Sequence, residues 1–255
     1  MNPNISVVIL TKNEARHIAD CIATATWADE VLVLDSFSED DTVALAQKAG
    51  ARVEQCPFVN FSDLRQNALR RAVGEWVFFL DADERVTPKL AAEIQACARD
   101  WVGDATSPVG YWVPRRNYFF GHLVQHAGWG PDHQLRLLCR ERAHYDLEQE
   151  VHEVAVLDGT DGYLSNALIH FNYASWRQFF AKQNRYTWHE ARTLFRQGAK
   201  VRPQNYVLQP WREFWRRYVT WQGYKDGWMG MALCTVMAFF NFVLYLRLGQ
   251  LWRDG

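Results

Sequence analysis

The stretch Val77–Glu84, VFFLDADE, decides how this chain is read. Four apolar residues, Val77 to Leu80, run straight into Asp81-Ala82-Asp83, with Glu84 behind them. An apolar run of this length predicts a strand buried on both faces. Its acidic end then falls at the carboxyl edge of a parallel sheet, where open α/β folds bind ligands. Two carboxylates at the mouth of a buried strand repel one another without a cation. A hard divalent cation takes such oxygen ligands and neutralises a nucleotide diphosphate. Alone the triplet is weak evidence, because acidic residues also serve as solvated turn or helix-cap groups.

The sequence on either side strengthens it. Upstream, Ile5–Leu10 (ISVVIL) and Val31–Leu34 (VLVL) are apolar, β-branched runs that predict strands, and Ala51–Glu54 predicts a third. Between them, helices are predicted from the Thr11–Glu14 turn to about Thr26, from the polar loop Ser36–Thr42 to near Gly50, and over Asp63–Val73. Downstream, Pro88 predicts the first turn of a helix reaching about Trp101. Strands alternating with helices over short loops predict a parallel, Rossmann-like sheet. Neither G-x-G-x-x-G nor G-x-x-x-x-G-K-[ST] occurs, so a nucleotide is not held in the dinucleotide or P-loop manner. From Tyr111 to His170 the pattern changes to short strand-like runs and loops, and Trp176–Gln197 predicts an amphipathic helix. There is no internal repeat.

A length of 255 residues suits one sizeable α/β domain with a C-terminal appendage. The formal net charge of −1 gives no global basic surface for nucleic acid. Five cysteines without Cys-x-x-Cys spacing argue for a reducing compartment, and against a disulfide framework or a zinc site. The N-terminus lacks the shape of a signal peptide. Twelve Trp, with many of the aromatics in the last third, require a separate explanation.

SVVILTKNE, VLVLDSFSEDDT, EWVFFLDADE and the later EVHE (Glu150–Glu153), in that order, resemble the family 2 glycosyltransferases with the GT-A fold. Within that family the likeness is to the lipopolysaccharide-core glucosyltransferase group, over roughly residues 4 to 190. The resemblance implies a metal-dependent, inverting transfer of a hexose from a nucleotide-diphospho-sugar, such as a UDP-sugar, with Mg²⁺ or Mn²⁺ as cofactor. It implies donor contacts from Thr11, Asn13 and Glu14 in the first loop and from Asp35, which reads the base. It makes Asp81 and Asp83 the metal-binding pair, with His170 as a further metal candidate. Lys182–Tyr186 (KQNRY) is a variant of the family's Gln-x-x-Arg-Trp, which gives Arg185 a pyrophosphate role. The inverting reaction needs one carboxylate to deprotonate the acceptor hydroxyl. The likeness favours Glu153, with Glu150 and Asp132 as fallbacks. Arg136, inside the apolar run LRLL, is costly to bury unpaired, so it is expected to contact donor phosphates or a carboxylate of the site.

Other readings of the same residues are open. Asp35 can cap a helix, His170 can be a satisfied core histidine, and each candidate base can be half of a surface ion pair. A haloacid-dehalogenase-type phosphatase also uses Asp-x-Asp, but usually with Thr or Val where this chain has Arg85. A sugar-1-phosphate nucleotidyltransferase normally shows a Gly-rich, basic first loop, unlike Thr11–Glu14. A membrane-recruited module that only binds sugar nucleotides is the non-enzymatic reading.

Gly227–Leu246 contains no charged residue and is just long enough to cross a bilayer, although Gly230 and Asn241 interrupt its apolar character. Before it, Trp211, Phe214, Trp215, Tyr218 and Trp221 recur at helical spacing, with Arg212, Arg216 and Arg217 on another face. Such a helix suits the headgroup zone of an anionic leaflet. For the charge-free run, a buried core helix under an oligomer interface is the alternative. The expected organisation is a glycosyltransferase domain over residues 1–200, with halves at about 1–103 and 104–200, and a membrane-associating tail over 201–255. The expected partner is a lipid-linked glycan, at the cytoplasmic side of the inner membrane.

Overall fold

The structure is a computed structural model that describes residues 4–147 and 154–254. The chain forms two compact units, Met1–Arg115 with Asp132–His170, and Arg116–Pro131 with Phe171–Gly255. These units divide the chain differently from a boundary at residue 200.

In chain order the first unit begins with β1 (Ile5–Thr11), α1 (Ile18–Ala23), β2 (Glu30–Asp35), α2 (Thr42–Lys48) and β3 (Arg52–Gln55). It continues with α3 (Phe61–Arg71), β4 (Trp76–Asp81), β5 (Glu84–Arg85) and α4 (Pro88–Asp100). Next come β6 (Gly110–Phe119), which leads into the second unit at Arg116, β7 (His122–Val124) and β8 (His133–Cys139). The remaining strands are β9 (Ala143–His144), β10 (Val156–Leu157), β11 (Asp161–Tyr163) and β12 (Leu168–Tyr173).

The parallel core of this unit has the order β3-β2-β1-β4, and β8 then joins β4 antiparallel. The register sets Thr11 opposite Asp35 and Leu10 opposite Asp81, so the carboxyl ends of three strands share one edge. Alternation along β4 feeds two cores. Trp76, Phe78 and Leu80 pack with Ile18, Ile22, Leu90 and Ile94, while Val77 and Phe79 pack with Leu64 and Ala68. Asn60 caps α3 by accepting from the Asp63 amide, and Thr87 caps α4 ahead of Pro88. VFFLDADE is therefore a strand only to Asp81. Ala82 and Asp83 form a turn, and β5 pairs antiparallel with β12 through Glu84 and His170.

The first helix starts at Ile18, later than expected. The amides of Asn13, Glu14 and Ala15 are taken by Ser38 Oγ at 2.8 Å, Thr42 Oγ1 at 2.8 Å and Asp40 Oδ2 at 3.1 Å. These tertiary bonds hold the segment as a loop, with Asn13 left-handed at φ 57°.

The second unit contains α5 (Trp176–Arg196), α6 (Asn205–Trp215), a π-turn over Arg216–Thr220 and α7 (Gly227–Asp254). Phe119, Val124, Tyr173, Phe179, Met229 and Leu233 form its core. The C-terminal residues are thus integral to this unit rather than a detachable appendage. Arg217 departs from the open basic face expected of it. It pairs with Glu213 at 2.5 Å, donates to the Ala127 carbonyl at 2.8 Å and lies over Trp129 and Trp221.

Gly74 precedes β4, and its amide donates to Ser6 Oγ at 2.8 Å. A Cβ there would lie 2.5 Å from the Ser6 amide nitrogen and 2.9 Å from the Asn4 carbonyl oxygen, both fixed backbone. Gly74→Ala is expected to cost about 1–3 kcal/mol through strand displacement, read by urea denaturation. A loss below about 0.5 kcal/mol, the level of an ordinary surface change, contradicts this packing.

Candidate functional site

The shared edge opens into a cleft of about 540 Å³ lined by Thr11, Glu14, Arg65, Asp81, Asp83 and His170, among others. All belong to the first unit.

Asp81 closes β4, and its carboxylate accepts both terminal nitrogens of Arg136, one at 3.2 Å. Glu84, fully buried, accepts from Arg136 at 2.9 Å, from Arg115 at 3.2 Å and from the Asp81 amide at 3.0 Å. Arg115 reaches on to Asp132 at 2.8 Å. A chain of alternating charges, buried at Arg136 and Glu84, thus underlies the turn that carries Asp83. Arg85 ties that turn from outside, donating to the carbonyls of Ala82 at 2.9 Å and His17 at 3.3 Å.

The shared charges move the protonation equilibria apart. Burial works to raise the Asp81 carboxyl, but the adjoining Arg136 guanidinium outweighs it and holds Asp81 below the usual carboxylate range. Burial pushes Glu84 up, against the pull of Arg136 and with the repulsion of Asp81. Burial also raises Glu14, and the nearby negative charges of Asp83, Asp40 and Asp81 add to it. The cleft therefore concentrates the negative charges of Glu14, Asp81 and Asp83.

Asp83 projects from the turn with about a third of its side chain exposed, and His170 Nε2 lies 3.4 Å from its carboxylate. Among the described residues no group of three or more His, Cys, Asp or Glu side chains forms a metal-holding cluster. One carboxylate with one imidazole nonetheless fits a divalent cation that takes its other ligands from substrate phosphates and water.

The other expected residues fall as follows. Asp35 is fully buried; it accepts from Thr11 Oγ1 at 3.1 Å, from the Ser38 amide at 2.8 Å and from the Ser38 hydroxyl. In this arrangement it braces the two loops at the cleft edge. Asn13 does the same, accepting from the Glu39 amide at 2.8 Å. Arg136 is buried and meets the carboxylates of the site, the second of its two expected partners. Arg185 is exposed on α5 in the second unit. Asp132 is engaged by Arg115 and by Gln134 Nε2 at 2.9 Å. Glu150 and Glu153 lie outside the described residues.

Arg65 on α3 is a lining residue that sequence reading did not single out. Its guanidinium lies 5.7 Å from the Phe79 ring centre and 6.0 Å from that of Tyr145. Arg65 is one of the cations that lower Asp81. Its helix showed only as a periodic segment, with nothing to say which face meets a ligand.

Arg136→Met should cost about 3–5 kcal/mol near neutral pH, because buried Glu84 and the adjoining Asp81 lose their common counter-charge. The deficit should narrow as pH falls. Without Arg136, folded Glu84 binds a proton more tightly than the unfolded chain does, so lower pH favours the fold. Adding Glu84→Gln should recover part of the loss. Denaturation of the three variants across pH checks this, and a pH-independent deficit contradicts it.

The family model described as "Glycosyl transferase family 2" matches residues 6–154, more than half of the chain. A lipopolysaccharide core biosynthesis glycosyltransferase, LpsC of Rhizobium meliloti, is 28% identical over 96% of this chain and 92% of its own length. An uncharacterised glycosyltransferase of Rickettsia felis is 27% identical over 97% of this chain and 89% of its own. Residues 1–349 of S. aureus TarS align with 99% of this chain and 92% of that one, at 14% identity and a TM-score of 0.49. With helices on both faces of its mixed sheet and the Asp-x-Asp turn at the carboxyl edge, the chain belongs to the family 2 glycosyltransferases of GT-A type.

Proposed function

We propose that the chain transfers a hexose, glucose or a close relative, from a UDP-type nucleotide-diphospho-sugar to a lipid-linked glycan of the lipopolysaccharide-core kind. The reaction is an inverting displacement that depends on Mg²⁺ or Mn²⁺, at the cytoplasmic face of the inner membrane. The observation that carries this reading is the Asp83–His170 pair at the mouth of β4, in a cleft it shares with Glu14 and Asp81. The near full-length similarity to a lipopolysaccharide-core enzyme supports the acceptor class. The charge-free stretch of α7 supports an acceptor met at a membrane.

The residues divide the work. Asp83 and His170 would hold the cation, which supplies neutralisation of the departing diphosphate. Arg65 places a second positive charge on the cleft wall, suited to the donor's phosphates. Thr11, Asn13, Glu14 and Asp35 shape the edge where the nucleoside sits, and Arg185 is a further candidate for the pyrophosphate. The acceptor oxygen attacks the anomeric carbon as the bond to the diphosphate oxygen breaks. Its proton passes to a carboxylate, for which Glu153 is the first candidate and Glu150 and Asp132 the alternatives.

Two variants test the assignment. Asp83→Ala should abolish transfer and leave the fold intact, because the Asp83 side chain is partly exposed in a turn and lies outside the apolar core. Near wild-type transfer by this variant with the metal chelated contradicts the metal-dependent reading. Glu153→Gln should lower turnover by about 10²–10⁴ with donor binding unchanged. Unchanged turnover moves the role to Glu150 or Asp132, and lost donor binding makes Glu153 a phosphate-site residue.

A further inference from the structure

We infer that α7 lies along one leaflet of an anionic phospholipid bilayer and does not cross it, so that both of its ends stay on the same side. The inference rests on the membrane association proposed above and adds its geometry. By length and composition α7 could span: it has 28 residues, about 42 Å at 1.5 Å per residue, and contains an 18-residue stretch of mean hydropathy 1.9. What its partners carry rules against a crossing.

One stripe of α7, Met229, Leu233, Phe240, Leu244 and Leu248, is buried inside the second unit. Along its second half α7 runs beside α5. The ring centres of Phe240 and Phe180 are 5.5 Å apart, Arg247 donates to the Asn184 carbonyl at 2.6 Å, and Trp252 packs on Phe195 at 4.6 Å. Trp252 Nε1 also donates to the Ala199 carbonyl at 2.8 Å. Over the same length α5 exposes Arg185, His189, Arg192 and Arg196. A spanning α7 would draw these outward-facing charges into hydrocarbon, each at a cost of about 2.5 kcal/mol or more for the charged forms.

The other flank leads to the same conclusion. Tyr206 of α6 packs on Phe242, and a cavity of about 790 Å³ beside α7 is lined by Glu190, Arg212, Glu213, Arg216, Asn241 and Tyr245. Asn241, the polar interruption in the apolar run, faces this polar cavity. Opposite the buried stripe, α7 exposes Trp228, Met231, Thr235, Phe239 and Leu246, a face with no charge before Arg253. On α6, Val207, Trp211 and Trp215 are exposed. Apolar anchors edged with Trp and Arg suit a headgroup boundary. Charge complementarity selects an anionic surface: after Ala199 the chain has eight basic and three acidic residues, a net +5, where the whole chain is −1.

Depth quenching tests the geometry. In full-length protein with Cys97→Ser, the changes Met231→Cys, Phe239→Cys and Leu246→Cys are each labelled with an environment-sensitive fluorophore. The labelled proteins are added to phosphatidylglycerol–phosphatidylcholine vesicles that carry shallow or deep doxyl quenchers. The lying geometry gives stronger quenching by the shallow probe at all three positions, with ratios equal within about twofold. A crossing separates positions 231 and 246 by about 22 Å along the helix. Preferential quenching of position 239 by the deep probe, with 231 and 246 shallow, therefore overturns the inference and leaves membrane association standing. No quenching at any position overturns membrane association itself. On pure phosphatidylcholine vesicles the bound fraction should fall at least tenfold, and equal binding there overturns the anionic requirement.

Discussion

The site depends on one buried arrangement, the Arg136 guanidinium held between Asp81 and Glu84. Burying an isolated carboxylate such as that of Glu84 beside a close-packed sheet is prohibitive, and the partly exposed carboxylate of Asp81 adds its repulsion. A guanidinium, always charged and able to bond two carboxylates in its plane, makes the pair tolerable. Arg115 extends the alternation to Asp132, and the Asp81 amide occupies the remaining side of Glu84. The outcome is a rigid base from which Asp83 projects. Neighbouring acidic residues thereby differ in place: Glu84 is buried beneath the turn, while Asp81, held by Arg136, and Asp83 both line the cleft.

This arrangement explains how much of the protein is legible in its sequence. Three of the four parallel strands, β1, β2 and β4, are legible because each is a short apolar run whose pattern forces burial on both faces, whereas β3 (RVEQ) is a polar edge strand. The acidic edge is legible because polar residues must begin where that burial ends. Arg136 was readable in part, since a charge inside LRLL needs a partner, but only the antiparallel pairing of β8 with β4 selects Asp81 and Glu84. Asp35 is the converse case. Its position at a strand end suggests an outward carboxylate, yet Thr11 and Ser38 draw it inward. Arg65 and the late start of α1 follow from contacts made across the loops, which no local window contains.

The C-terminal segment shows a different limit. Composition identifies an apolar helix and an aromatic, basic helix before it, but not which face of either is satisfied within the protein. Arg217 lies over two indoles and against Glu213, so its charge is used internally. Arg212 is exposed, as are Trp211 and Trp215. Hydropathy averages over both sides of a helix, and the distinction between a core stripe and a lipid-facing stripe is lost in that average.

The central claim is that the cation site is only half built by the protein and is completed by the donor's diphosphate. Titration of Mn²⁺ followed by electron paramagnetic resonance, with and without UDP, tests it most directly. The account predicts weak binding to the protein alone and binding at least tenfold tighter when UDP is present. Binding that is equally tight without UDP, or absent in its presence, contradicts it.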